Sequence, residues 1–297
     1  MTPIVLLAGL ALHAAGVLRR YEIDAPELHD VHRAVRVYTP AGYDEPGTAA
    51  QRYPVVFLLH GWPGSDGNWP GLGRAVVTAD SLIASGRMPP AILVFPNGNG
   101  RGLLGRSLYL DSQDGSSRME QFLVDRLPDW VDETFRTEPG CRAVIGLSDG
   151  GTAAMNLLFR HPDRFVAAGS HSADLRIRKD FTTRSVLGPE PGAARLAESR
   201  SPLAYAAEVA PGMAPRPIYF DCGRDDESVG DNREFDALLT RLGVPHVYRE
   251  FEGSHGWGYW RAHLAGSLEA VTAGMPCGGM SPGPGARPAL RESPSVR

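Results

Sequence analysis

Cysteine, lysine and long apolar runs are all scarce in this chain of 297 residues. Its three cysteines, Cys141, Cys222 and Cys277, fall in no CxxC spacing and make no disulfide framework. With no histidines clustered beside them, they also argue against a structural zinc site. Lys179 is the only lysine, the other basic residues being arginines. A net charge of −4 and a pI near 6.1 argue against the strongly basic footprint of a nucleic-acid binder. No apolar run reaches the roughly 18–20 residues that a membrane-spanning helix needs. What is present is ordinary: 42% hydrophobic and 22% charged residues exclude wholesale disorder and fibrous folds. The length suits one large domain or two small ones.

Residues 1–16, MTPIVLLAGLALHAAG, resemble the apolar core and small-residue end of a signal peptide but lack its basic start. Ile4 to Leu12 equally suit a buried strand or helix start, so secretion and cytoplasmic residence both stay open. From Val17 two alternating segments, VLRRYEI and VHRAVRVYT (31–39), read as an antiparallel pair. The pattern then changes. PVVFLLH (54–60) is continuously apolar, as expected of a strand covered on both faces. Strand candidates at 91–96, 143–147, 165–170, 217–222 and 246–252 follow, separated by helical stretches near 71–85, 118–135, 150–160, 229–242 and 258–272. Alternation on this scale predicts an α/β fold, a mostly parallel sheet with helices on both faces and antiparallel strands at its N-terminal end. Residues 174–215 break the alternation, with a basic cluster (Arg176, Arg178, Lys179, Arg184), a Gly/Pro-rich stretch and a short helix at 201–209. They read as a cap-like insertion over the C-terminal edge of the sheet, with the charges of a solvated loop. Residues 273–297 are rich in glycine and proline and read as a disordered tail, leaving 17–272 as the folded domain.

Chemistry concentrates at Gly146-Leu147-Ser148-Asp149-Gly150. The pattern G-x-S-x-G is weak alone, since Gly279-Met280-Ser281-Pro282-Gly283 matches it too. Only the first lies between an apolar strand and a helix, where flanking glycines let a serine occupy a strained turn. A plain N-cap would use the same residue. An acid and a histidine follow in the order a Ser-acid-His set requires. After the strand PIYFDC come three adjacent carboxylates, Asp225, Asp226 and Glu227, among which spacing does not choose. After the last strand His255 sits on a glycine-flanked loop; His246 opens that strand, His263 lies within the final helix, His60 lies too early, and His161 and His171 sit beside the elbow unit. The fourth part is the His60-Gly61-Trp62 turn. The backbone N–H groups of Trp62 and Asp149 would form the oxyanion hole, while Pro63 has no N–H to offer. The Asp149 carboxylate is expected to serve the helix N-terminus.

Taken together, LLHGWPGSDGNW, IGLSDGGTAAMNLLFRHPDRF, DCGRDD and EGSHGWGYW resemble the putative-esterase group of α/β-hydrolases over roughly residues 17–272. That group includes S-formylglutathione hydrolases, feruloyl and acetylxylan esterases, enterochelin-esterase-like proteins and mycolyltransferases. The resemblance implies an α/β-hydrolase fold with Ser148 as nucleophile, His255 as base and Asp226 as orienting acid, Asp225 being the fallback. Two departures stand out: Asp149 replaces a common methionine, and the cysteine-bearing loop of the formylglutathione hydrolases is missing after Gly61.

The expected function is a serine carboxylic-ester hydrolase acting on a small-molecule or carbohydrate-linked ester, with no metal or organic cofactor. The same residues would serve an acyltransferase with an alcohol acceptor. A non-catalytic binding protein on a hydrolase scaffold is a third possibility. Trp62, Trp69, Trp257, Tyr259 and Trp260 flank the motifs, either to stack on substrate or to fill the core.

Overall fold

The computed structural model describes residues 15–100, 105–275 and 277. The apolar segment 1–14 and the tail from residue 278, including Ser281, lie outside the described residues. Among the described residues no helix is long and apolar enough to cross a membrane.

Eight strands form one sheet: β1 (Val17–Ala25), β2 (Asp30–Thr39), β3 (Tyr53–Leu59), β4 (Ile92–Pro96), β5 (Thr137–Leu147), β6 (Ala167–His171), β7 (Ile218–Gly223) and β8 (Val247–Phe251). Their order is β1-β2-β4-β3-β5-β6-β7-β8. The β1–β2 and β2–β4 pairings are antiparallel and all others parallel, matching the expected change of pattern after residue 53. Every residue of β3 is buried, because helices cover both faces. Val55, Phe57 and Leu59 join one apolar core, while Val56 and Leu58 join the other.

The helices are α1 (Asn68–Gly71), α2 (Ala75–Ala84), α3 (Met119–Gln121), α4 (Leu127–Thr134), α5 (Asp149–Arg160), α6 (Arg184–Leu187), α7 (Gly192–Ser199), α8 (Pro202–Val209), α9 (Val229–Arg241) and α10 (Trp257–Ala273). A π turn over Phe122–Arg126 joins α3 to α4. The first core gathers side chains of α4, α5, α8 and α9. The second gathers those of α2 and α10.

The insertion carries α6, α7 and α8, 20 of its 42 residues, which adds two helices to the one expected at 201–209. It has its own small apolar cluster, Ile177, Val186, Leu187, Ala193 and Ala197, packed on Leu108 and Leu110. Its charges do lie outward in surface pairs: Arg176 with Glu234 at 2.8 Å and Lys179 with Glu190 at 3.1 Å.

One reading of the sequence is corrected. Cys141 and Cys277 form a disulfide across 136 residues of sequence. The chain leaving α10 returns to the start of β5, bringing the two Cα atoms to 5.2 Å. Cys222 stays free and buried.

Candidate active site

Ser148 stands between β5 and α5 with φ +52° and ψ −124°, a region that a residue with a side chain seldom occupies. Space forces that turn. A Cβ on Gly150 would lie 2.5 Å from the carbonyl oxygens of Leu59 and His60, and one on Gly146 would strike the carbonyl of Gly150. Strand β5, helix α5 and the end of β3 therefore meet backbone to backbone. The serine makes no side-chain cap to its helix, against the plain N-cap alternative. Its hydroxyl instead lies 3.0 Å from His255 Nε2.

His255 follows β8 on the loop before α10, with its side chain 29% exposed. Its Nδ1–H faces both Asp226 carboxylate oxygens, at 3.0 and 3.1 Å. A carboxylate only accepts, so the proton sits on Nδ1 and Nε2 is left to accept from Ser148. Of the three carboxylates after β7, Asp226 is the one that turns inward, whereas Asp225 and Glu227 are exposed. Asp226 also accepts from the Ser228 amide at 2.9 Å and the Ser228 hydroxyl at 2.7 Å. Burial opposes its ionisation, but these bonds and the imidazole outweigh it and hold the carboxyl at about 2. Burial likewise opposes a charged His255, and Asp226 outweighs it, raising the imidazole above its ordinary range.

The loop after β3 is fixed by groups that sequence inspection passes over. The Gly98 amide donates to His60 Nε2 at 2.9 Å, which places the other proton on Nδ1, donating to the Gly61 carbonyl at 2.7 Å. Tyr109 donates to the His60 carbonyl at 2.8 Å, and Trp69 Nε1 to that of Leu59 at 2.9 Å. Burial keeps His60 below the ordinary imidazole range, hence neutral. Gly61, the residue before Trp62, is held so close that a Cβ on it would lie 3.0 Å from that of Ser148. As first residue of α5, Asp149 has an N–H with no intrahelical acceptor.

The Asp149 side chain departs from expectation. Its carboxylate faces Arg106 through two bonds, Nε–Oδ2 at 2.9 Å and Nη2–Oδ1 at 2.8 Å, rather than an amide of the helix. Nothing in the sequence near Arg106 marks it, since the partner lies 43 positions away. The remaining candidates are accounted for elsewhere. His246 bonds Asp236, His263 stacks on Phe251, and His161 bonds Glu120. His171 is fully buried between Asp221 and Ser267, each at 2.9 Å. Trp69, Tyr259 and Trp260 are core residues, and Trp257 packs edge-on against both tryptophans. Trp62 is half-buried, with the Arg106 guanidinium over its ring.

The chain is 34% identical over 142 residues to an endo-1,4-beta-xylanase/feruloyl esterase of Xylanibacter ruminicola, covering 45% of this chain and 18% of that protein. It is 28% identical over 242 residues to an esterase of Mycobacterium tuberculosis, covering 71% of this chain and 50% of that one. The matched part thus spans half or less of the length of these two relatives. Among solved structures, a ferulic acid esterase superposes with a TM-score of 0.76 at 27% identity, covering 87% of this chain and 98% of that one. The family described as putative esterase matches residues 28–271, and the chain belongs to it.

Proposed function

We propose that the protein is a serine carboxylic-ester hydrolase in which Ser148, His255 and Asp226 act as a triad. The observation that carries this reading is the unbroken relay from the strained Ser148 hydroxyl through His255 to the buried Asp226, at 3.0 Å per step. Ser148 Oγ attacks the ester carbonyl while His255 Nε2 takes its proton, and Asp226 holds the ring and stabilises the imidazolium. The amides of Trp62 and Asp149 receive the tetrahedral oxyanion. His255 returns the proton to the leaving alcohol and then activates water, which releases the acid from the acyl-enzyme.

The names of two similar proteins, a feruloyl esterase and a ferulic acid esterase, support a choice of substrate class. The expected substrates are short acyl or hydroxycinnamoyl esters of small molecules or carbohydrates.

Intact-mass analysis after a fluorophosphonate probe tests the reading, together with turnover of p-nitrophenyl acetate, p-nitrophenyl butyrate and methyl ferulate. One adduct is expected on the wild type and none on Ser148→Ala, with turnover down at least about 10³-fold. Full turnover in Ser148→Ala would overturn the proposal. Repeating the assay with added sugars and identifying the products shows whether water or an alcohol takes the acyl group.

A further inference from the structure

Asp149 carries a charge where it is least welcome. It is 3% exposed, and its amide is one of the two assigned to a developing anion. An uncompensated carboxylate there would raise the energy of every negatively charged intermediate, since a buried charge is poorly screened. Arg106 meets it with two parallel N–H···O bonds, the strong planar form of this ion pair. The same guanidinium lies over the Trp62 indole, 5.3 Å from the ring centroid. Its Nη1 donates to the Thr182 hydroxyl at 2.7 Å, with Asp180 Oδ2 3.6 Å away. Burial works against the charge of Arg106, and the Asp149 and Asp180 carboxylates more than offset it.

The two residues assigned to the oxyanion come from separate elements, the loop after β3 and the start of α5. One guanidinium touches both side chains and ties them to the insertion. We propose that Arg106 is a positioning residue for the oxyanion hole, neutralising Asp149 and holding Trp62 and Asp149 on either side of Ser148. The proposal rests on the esterase reading. It requires the flat, two-pronged guanidinium, because a lysine ammonium is a point charge that cannot pair in parallel with Asp149 and also cover the indole.

The test compares wild type, Arg106→Gln, Arg106→Lys and the double variant Arg106→Gln/Asp149→Met. Each is assayed for kcat and KM on p-nitrophenyl acetate, inhibition by phenylboronic acid and thermal midpoint. A boronate forms a tetrahedral adduct on the serine and reads the oxyanion hole without turnover. Arg106→Gln is expected to lower kcat by about ten- to a hundredfold, less than deletion of an oxyanion donor, with KM within about threefold. Its inhibition constant for the boronate should rise by a similar factor. Arg106→Lys should lose at least about threefold in both readouts, and the double variant should regain most of the kcat lost by Arg106→Gln. Wild-type kcat and boronate affinity in Arg106→Lys would overturn the proposal, as would a double variant no faster than Arg106→Gln. A loss seen only in KM or thermal midpoint would do the same, assigning Arg106 a purely structural role. A Ser148→Ala control keeps the two readings apart: if it stays active, the esterase reading falls and this one with it, whereas a silent control beside unimpaired Arg106 variants removes the Arg106 role alone.

Discussion

At the scale of single residues, opposite pKa shifts in one hydrogen-bonded pair set the pH behaviour of the site. Asp226 is held at about 2 against an ordinary 3.8, so its contribution to stability is present above 3.8 and lost as pH falls toward 2. His255 is raised above 6.5, burial opposing and Asp226, Asp174 and Glu227 favouring its charge. Its contribution is full below 6.5 and is lost as pH rises through the raised value. Catalysis needs the neutral ring, so kcat/KM should rise with pH through that same raised value. Asp226→Asn removes the charge that favours the imidazolium. The acid limb of the profile should therefore move to lower pH, and kcat should fall by about 10⁴-fold, since an amide can hold the ring in the wrong tautomer. An unmoved acid limb would mean that Asp226 does not set the titration of His255.

Among elements, the decisive contact is the backbone crossing of β3, β5 and α5. Gly146, Gly150 and Gly61 stand where side chains would collide with Gly150, with the end of β3 and with Leu147, respectively. The site depends on this crossing because the serine turn and the candidate oxyanion loop are both built on it. Gly150→Ala would push a methyl to 2.5 Å from two backbone carbonyl oxygens, which cannot withdraw as a flexible side-chain end could. A loss of about 2–3 kcal/mol or more is expected by denaturant titration. Gly230→Ala, in α9 with nothing within 4 Å of the new methyl, should instead hold or gain up to about 1 kcal/mol. Equal stability of the two variants would contradict the backbone crossing described here. Helix α10 is fastened to the sheet by a different device. His171, at the end of β6, and Asp221, within β7, bond Ser267 and Tyr259 respectively, while Trp260 donates to Ser172 at 3.1 Å. Trp260 in turn packs edge-on against His255 at 5.0 Å, so the anchoring of α10 reaches the imidazole.

For the molecule as a whole, the disulfide closes the chain from β5 to the end of α10. A covalent link across 136 residues restricts the unfolded chain strongly. In the chain-entropy account this is worth up to about 4–5 kcal/mol. On protein folded under oxidising conditions, Cys141→Ser/Cys277→Ser or reduction should lower the denaturant midpoint with little change in kcat, because the bond lies at the far end of α10 from His255. An unchanged midpoint would show that the link adds nothing to stability.

The order of strands and helices, the change from antiparallel to parallel pairing, and the elbow at Ser148 were legible in the sequence alone. These are local or periodic properties. Apolar alternation reports which faces are covered, and glycines flanking a serine report a turn that tolerates no side chain beside it. The sequence also placed a serine, an acidic turn and a histidine in their required order. Which carboxylate turns inward, which arginine meets Asp149 and which cysteines pair were decided only in three dimensions. Asp225, Asp226 and Glu227 share one turn, and their directions depend on how β7 leaves the sheet beside the His255 loop. Arg106 and Asp149 are 43 positions apart, and Cys141 and Cys277 are 136 apart. At such separations contact follows from how whole elements pack, which no short window of sequence encodes.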